Sequence, residues 1–261
     1  MSEVKTSGSL VKSILGYGQR YKEEMLLKRY DRDKLTHDWW EALRFFYGRA
    51  FFQGRLDTVS ERVYQAALDV LGPVFSGDRG AATRAAMEEQ RWVGLREQLL
   101  EKIGRGKVGK ARDVDMTVSA LEYVGRLPEN NIVSFSLAQI RAGAIEGHFK
   151  HLQRGLNSAG IVQVGPKVAA FYLRDLVSLY SLDACVPQQF QFCLQPIDVW
   201  VRKLAHKTGI GGKVASDEPI REAIVDLCKT YGCSALQFNQ GAWYAGYFAF
   251  DLLVELIAQP R

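Results

Sequence analysis

The chain has 261 residues, enough for one or two domains with a sizeable buried core. A hydrophobic share of 47% and a charged share of 24% are ordinary for a soluble globular protein, and a net charge of +5 permits an anionic partner without demanding one. No run of 18 apolar residues occurs, so no transmembrane helix is expected, and no membrane partner is expected either. The opening "MSEVKTSGSLVKSILGYG" is polar and glycine-rich and lacks the apolar core of a signal peptide, so a flexible lead-in or a short first helix is expected there. The expected location is cytoplasmic.

Helical spacing dominates the rest of the chain. "HDWWEALRFFYGRAFFQGR" carries bulky apolar residues at helix spacing from Trp39 to Phe52. "TVSERVYQAALDVLG" is capped by Thr58 or Ser60 and stops at Gly72, ahead of Pro73. "AATRAAMEEQRWVGLREQLLEKIG" is a charged amphipathic helix ending at Gly104, and the basic, glycine-rich "GRGKVGKARD" is a loop. "DVDMTVSALEYVGRL" is a helix stopped before Pro128, and "SFSLAQIRAG" starts from Ser134 or Ser136 as a cap. After "IEGHFKHLQRGLNSAG" come the helices "PKVAAFYLRDLVSLYSL" and "PIDVWVRKLAHKTG", the second with proline at its start and Gly209 at its end. "SDEPIREAIVDLCKTYG" and "NQGAWYAGYFAFDLLVELIAQ" close the chain. About ten helices, no convincing strand and no fixed-period repeat predict an all-α fold, with two helical lobes around a central cleft and no obvious linker.

Cys185, Cys193, Cys228 and Cys233 are separated by seven residues within the first pair and four within the second, so neither pair is a CxxC. Zinc and an iron–sulfur cluster are not expected, and reduced, buried structural thiols are. His148 and His151 share a helix face but have no third ligand, and partial surface exposure is expected of them.

The stretch "GIVQVGPKVAAFYLRDL" raises a chemical question. A hydrophobic approach enters Gly165-Pro166, and Lys167 follows in the first turn of the next helix. Free amides at a helix start favour an anion and oppose a cation. Opposition by the dipole together with burial would depress the lysine's pKa and free its amine as a nucleophile. The bland alternative is a surface lysine beside a helix-to-helix turn. Downstream, "QPIDVWVRKLA" places Asp198 at the start of the next helix, where the dipole favours a carboxylate. An aspartate in that place is often only a cap.

Together, "VGPKVAAFYLRDL" and "PIDVWVRKLA" resemble the helix-hairpin-helix DNA glycosylase superfamily, whose members carry a hairpin ending in Gly-x-Lys and then Pro-Val-Asp before a later helix. The match covers about residues 155–208, within what would be a single helical glycosylase unit over 1–261. The lysine marks the bifunctional glycosylase/lyase branch. The four clustered cysteines of the endonuclease III and adenine glycosylase branches are lacking, and the long spacer "YSLDACVPQQFQFCLQ" is similar to the archaeal 8-oxoguanine (GO) glycosylases. "FNQGAWYAGY" also looks like that branch, where a polar residue one turn before a tryptophan faces the flipped base; here these are Asn239, in place of the usual aspartate, and Trp243. The common hairpin pattern Leu-Pro-Gly-Val-Gly-x-Lys is altered, with Val162 for the proline and Gln163 for the first glycine.

The resemblance implies a bifunctional DNA N-glycosylase/AP lyase of base excision repair that removes 8-oxoguanine, a monomer acting on damaged duplex DNA without metal or organic cofactor. Lys167 and Asp198 would be catalytic, and the damaged base would be flipped out to reach them. Trp243, Asn239 and Gln53 would contact that base, with one of Trp39 and Trp40 as a further wall, while Tyr247, Phe248 and Phe250 are expected to be core. Gly165, Arg202 and Lys203 would meet the DNA backbone, with Lys107 and Lys110 as further candidates. Arg174 and Asp175 are expected to cap or pair locally. The alternatives are a glycosylase for another damaged base and a non-catalytic helix-hairpin-helix DNA-binding protein.

Overall fold

The computed structural model describes residues 8–52, 55–75, 89–104, 108–153, 159–212 and 216–258, with only the backbone course of 89–93 and 251–258. Among these residues there are twelve α-helices and no strand; the one extended contact is an isolated bridge between Gln153 and Ile161. The fold is all-α, and no described helix is long and apolar enough to cross a membrane. The chain divides into two compact units, residues 31–172 and residues 1–30 with 173–261.

The unit 31–172 holds α2 (Arg32–His37), α3 (Trp39–Ala50), α4 (Asp57–Phe75), α5 (Glu89–Lys102), α6 (Ala111–Gly125), α7 (Ile132–Arg141), α8 (Ile145–His151) and the first half of α9 (Pro166–Leu179). Three of its helices, α2, α3 and α7, start where short polar side chains take up the orphan amides of a first turn. Asp31 accepts from the amides of Asp33 and Lys34, Asp38 from those of Trp40 and Glu41, and Asn131 from that of Ser134. Asn131 also ties α7 to α2 by donating to the carbonyl of Leu35 at 3.0 Å. The cap of α7 is therefore Asn131, and the predicted caps Ser134 and Ser136 lie inside the helix, because Asn131 can satisfy both the first turn and a neighbouring chain segment.

α3 supplies the core. Leu43, Phe45, Phe46 and Tyr47 are all fully buried, and Phe45 and Phe46 both meet Tyr172 edge-on. Burying each such side chain contributes about 1.5–3 kcal/mol, far more than helix propensity does. Trp39 and Trp40 are both buried, and both rings contact Phe75 at the end of α4. Neither is available as the wall of a base slot. The same contact explains why α4 does not stop at Gly72. Pro73 keeps a helical φ and gives up only one hydrogen bond, and Phe75 is buried just beyond it. α4 begins at Asp57, so Ser60, predicted as a possible cap, is a buried residue of its first turn.

The second unit joins α1 (Gly8–Tyr21) and a π-helical turn (Lys22–Leu27) to the end of α9, two 3₁₀ stretches (Asp183–Cys185 and Gln188–Leu194), α10 (Val199–Thr208), α11 (Glu218–Thr230) and α12 (Ala235–Ala258). α1 lies so close on α12 that a Cβ at Gly18 would sit 2.1 Å from the carbonyl oxygen of Gln237, and one at Gly241 would sit 1.8 Å from that of Ile14. Only glycine permits that approach. Leu10, Val11 and Ile14 of α1 join Val201 and Leu204 of α10, Ile220 and Ile224 of α11, and Phe238 and Ala242 of α12 in one core cluster. α10 starts at Val199, with Asp198 as its cap, so Pro196 lies outside the helix it was expected to open; it ends at Gly209, whose φ of +77° closes the helix. None of the four cysteines is in a disulfide; Cys193 and Cys228 are buried, Cys233 is half-buried, and Cys185 is exposed, contrary to expectation.

Candidate active site

The hairpin before α9 belongs to the unit 31–172. The amide of Ile161 donates to the carbonyl of Leu152 at 3.0 Å, and that of Val164 donates to the carbonyl of Ile161 at 3.1 Å, closing a tight turn. Ile161 and Val164 are buried and seat the turn. Gln163 stands at its tip with φ +62°, the left-handed conformation that glycine adopts freely and other residues adopt at a cost. The position where the hairpin pattern usually has its first glycine thus keeps a glycine-like backbone under a glutamine side chain. Gly165, the glycine that remains, has no left-handed φ and no atom near the place of a missing Cβ. The Val162 amide donates to Ser119 Oγ at 2.9 Å, and Arg126 donates to the carbonyl of Ala159 at 2.9 Å; both hold the turn on α6 and its C-cap.

Lys167 follows in the first turn of α9 and is half-buried, not enclosed. Its Nζ donates to the carbonyl of Phe52 at 3.3 Å, so an acceptor just past α3 receives an ammonium that its own helix end disfavours. Gln53, next in the chain, lies outside the described residues, as does Lys107. Lys110 precedes α6, and its amide donates to the carboxylate of Asp113 at 2.8 Å.

Asp198 belongs to the other unit. One carboxylate oxygen accepts from the amides of Trp200 at 3.0 Å and Val201 at 2.8 Å, which fixes the side chain at the positive end of α10. The two residues before it are buried, and the carbonyls of the approach are held by side chains from two other helices. Arg221 Nε of α11 donates to the carbonyl of Gln195 at 2.9 Å, and Asn239 Nδ2 of α12 donates to that of Pro196 at 3.3 Å.

Asn239 is fully buried, at 0% exposure, and lies inside α12, whose first turn is met instead by Ser234 Oγ. It is closed to solvent and does not cap the helix. Its Oδ1 accepts from Arg174 Nη1 at 2.8 Å. Arg174 is itself 1% exposed; it donates twice to Asp175, at 3.0 and 2.9 Å, and once to the hydroxyl of Tyr21 at 2.8 Å, which donates in turn to Asp175. Burial works against the guanidinium charge, but Asp175, Tyr21 and Asp198 favour it, and the pKa of Arg174 is raised. The local Arg174–Asp175 pair expected from the sequence is thus present, as part of a larger buried network joining α1, α9 and α12.

Trp243, one turn beyond Asn239, is half-buried. It stacks on Tyr247 at 5.2 Å and 5° and meets Tyr21 edge-on. Tyr247 and Phe248 are exposed, 41% and 56%, and not core as the apolar run suggested. The helical backbone breaks just after them, at Ala249, with φ −150° and ψ 32°. Arg202 is paired with Asp217, while Lys203 Nζ lies 4.5 Å above the ring of Trp200.

His148 is buried, against expectation, with Nε2 2.8 Å from Ser136 Oγ. Burial, aided by His151, pushes its pKa down to about 3. No group of three or more metal-ligating side chains occurs among the described residues.

Sequence reasoning missed Arg221 and the role of Arg174. The signal for Arg174 was present: an Arg-Asp pair in the middle of the apolar run "FYLRDLVSLY" has no solvent to face and needs buried partners. Comparison with protein-family models, with curated proteins and with solved structures returned no match.

Proposed function

We propose that the chain is a helix-hairpin-helix DNA glycosylase with AP lyase activity that removes oxidised guanine. The observation that carries this reading is the hairpin: a tight turn with a left-handed residue at its tip, followed directly by a helix whose first turn bears Lys167. A purely structural first turn favours an acidic residue over a cation. Asp198, the cap of α10 directly after Pro196-Ile197, supports the same reading.

The chemistry follows from the two groups. The amine of Lys167, having given up a proton, forms a bond to the anomeric carbon as the N-glycosidic bond breaks. The base leaves with the bonding pair and takes up a proton. Positive charge develops on the sugar as that bond lengthens, and the carboxylate of Asp198 stabilises it. Ring opening gives a Schiff base between Lys167 and the sugar. Loss of a proton from the adjacent carbon then expels the 3′-phosphate and nicks the strand. Trp243, in its stack with Tyr247, is the group for a flipped base to lie against.

The test is borohydride trapping on a duplex with one 8-oxoguanine. A covalent protein–DNA adduct is expected with the native chain and none with Lys167→Gln. Trapping only on other lesions would move the substrate to another damaged base. Duplex binding with no adduct on any lesion would leave a non-catalytic DNA-binding protein.

A further inference from the structure

The segment Gln195–Asp198 lies between a 3₁₀ stretch and α10 and has no helix of its own to satisfy its backbone. Two consecutive carbonyls in it are nevertheless taken up by buried side chains. Arg221, 4% exposed, holds that of Gln195, and Asn239, fully buried, holds that of Pro196. Each donor is fixed at its far end too. Arg221 also donates to Glu218 at 3.2 Å, and Asn239 Oδ1 is held by Arg174, which Asp175 and Tyr21 hold in turn. Pro196 has a fixed φ and Ile197 is buried, so the chain reaches Asp198 with little freedom left.

We propose that Arg221 and Asn239 are positioning residues for Asp198: by holding the carbonyls of Gln195 and Pro196 they fix where the Asp198 carboxylate stands at the head of α10. This rests on the reading of Asp198 as the reacting carboxylate. A charge that stabilises a transition state must be placed before the reaction, and small displacements cost rate without costing binding. The arrangement suits that need. A cap alone fixes the carboxylate relative to its own helix; the two carbonyl anchors fix it relative to α11 and α12 as well. Asn239, expected to read the base, instead serves the catalytic carboxylate from behind.

The test has two arms. In the native chain, amide hydrogen exchange at Trp200 and Val201, the two amides bound to Asp198, should be as slow as at Ala242 and Ala245 in α12. Exchange at Trp200 and Val201 more than about 100-fold faster than at those residues would overturn the inference whether or not any variant folds. In Arg221→Met and Asn239→Leu, exchange at Trp200 and Val201 should rise about 10-fold or more, with protection elsewhere in α10 retained. Single-turnover base release should fall about 10- to 100-fold, with KM changed less than about 2-fold and part of the rate restored in Arg221→Lys. Folded variants with unchanged exchange, or with unchanged base release, would overturn the inference. A native chain that releases and traps no base defeats the proposed activity, and the exchange arm then decides the anchoring on its own.

Discussion

Gln163 carries a left-handed backbone without the residue that suits it. A non-glycine residue there costs about 1–2 kcal/mol, and glycine recovers most of this while losing some through a freer unfolded chain. Gln163→Gly is therefore expected to raise stability by about 1 kcal/mol, measured as a shift of the urea midpoint at unchanged slope. Asp198 makes a second prediction at this scale. Asparagine caps as well as aspartate, so Asp198→Asn should leave the thermal midpoint almost unchanged while base release falls strongly. If Asp198→Asn melts the fold instead, the side chain is a structural cap and no more. How much of the site was legible varied residue by residue. The altered hairpin and the proline before Asp198 could be read, because their meaning is local. Asn239 could be read as a polar residue one turn before a tryptophan, but its direction could not. That is decided by Arg174, which lies 65 residues away in the chain.

At the scale of elements, helix existence was legible from apolar spacing, whereas helix ends were not. α4 continues through Pro73 because Phe75 packs on Trp39 and Trp40, a contact no local rule contains. α7 begins at Asn131 because that side chain also reaches α2. The pairing of α1 with α12 was equally hidden. Gly18 and Gly241 read as weak points in helices, yet each is where another backbone comes closest. Gly241→Ala would drive a methyl into the carbonyl of Ile14, and the clash is with backbone, which cannot rotate away. Its cost should exceed the usual overpacking range, at about 3 kcal/mol or more, read as a lower urea midpoint. A substitution at Gly125, where a Cβ meets nothing, should be mild by comparison.

For the molecule as a whole, His148 sets a pH dependence. It is held neutral when folded, with a pKa near 3, and returns to its ordinary value near 6.5 when unfolded. The unfolded chain therefore binds the extra proton between these values. The contribution is complete above about pH 6.5 and is lost as pH falls toward 3, by up to about 1.4 kcal/mol per pH unit. Chemical denaturation between pH 6.5 and 5, above the main titration of carboxylates, should show a decline that flattens in His148→Gln. The division of the chain has a different consequence, one of order in time. Residues 31–172 form a continuous unit, whereas the other unit needs residues 8–21 of α1 and residues 235–258 of α12 together. During synthesis the first helix leaves the ribosome more than two hundred residues ahead of its partner. Its apolar face, Leu10, Val11 and Ile14, must wait in water or against transient contacts until the last helix emerges. The carboxylate at the head of α10 is in the same position, since Asn239 arrives with that last helix. The unit that carries Lys167 can complete itself before α12 is made, while the unit that carries Asp198 cannot.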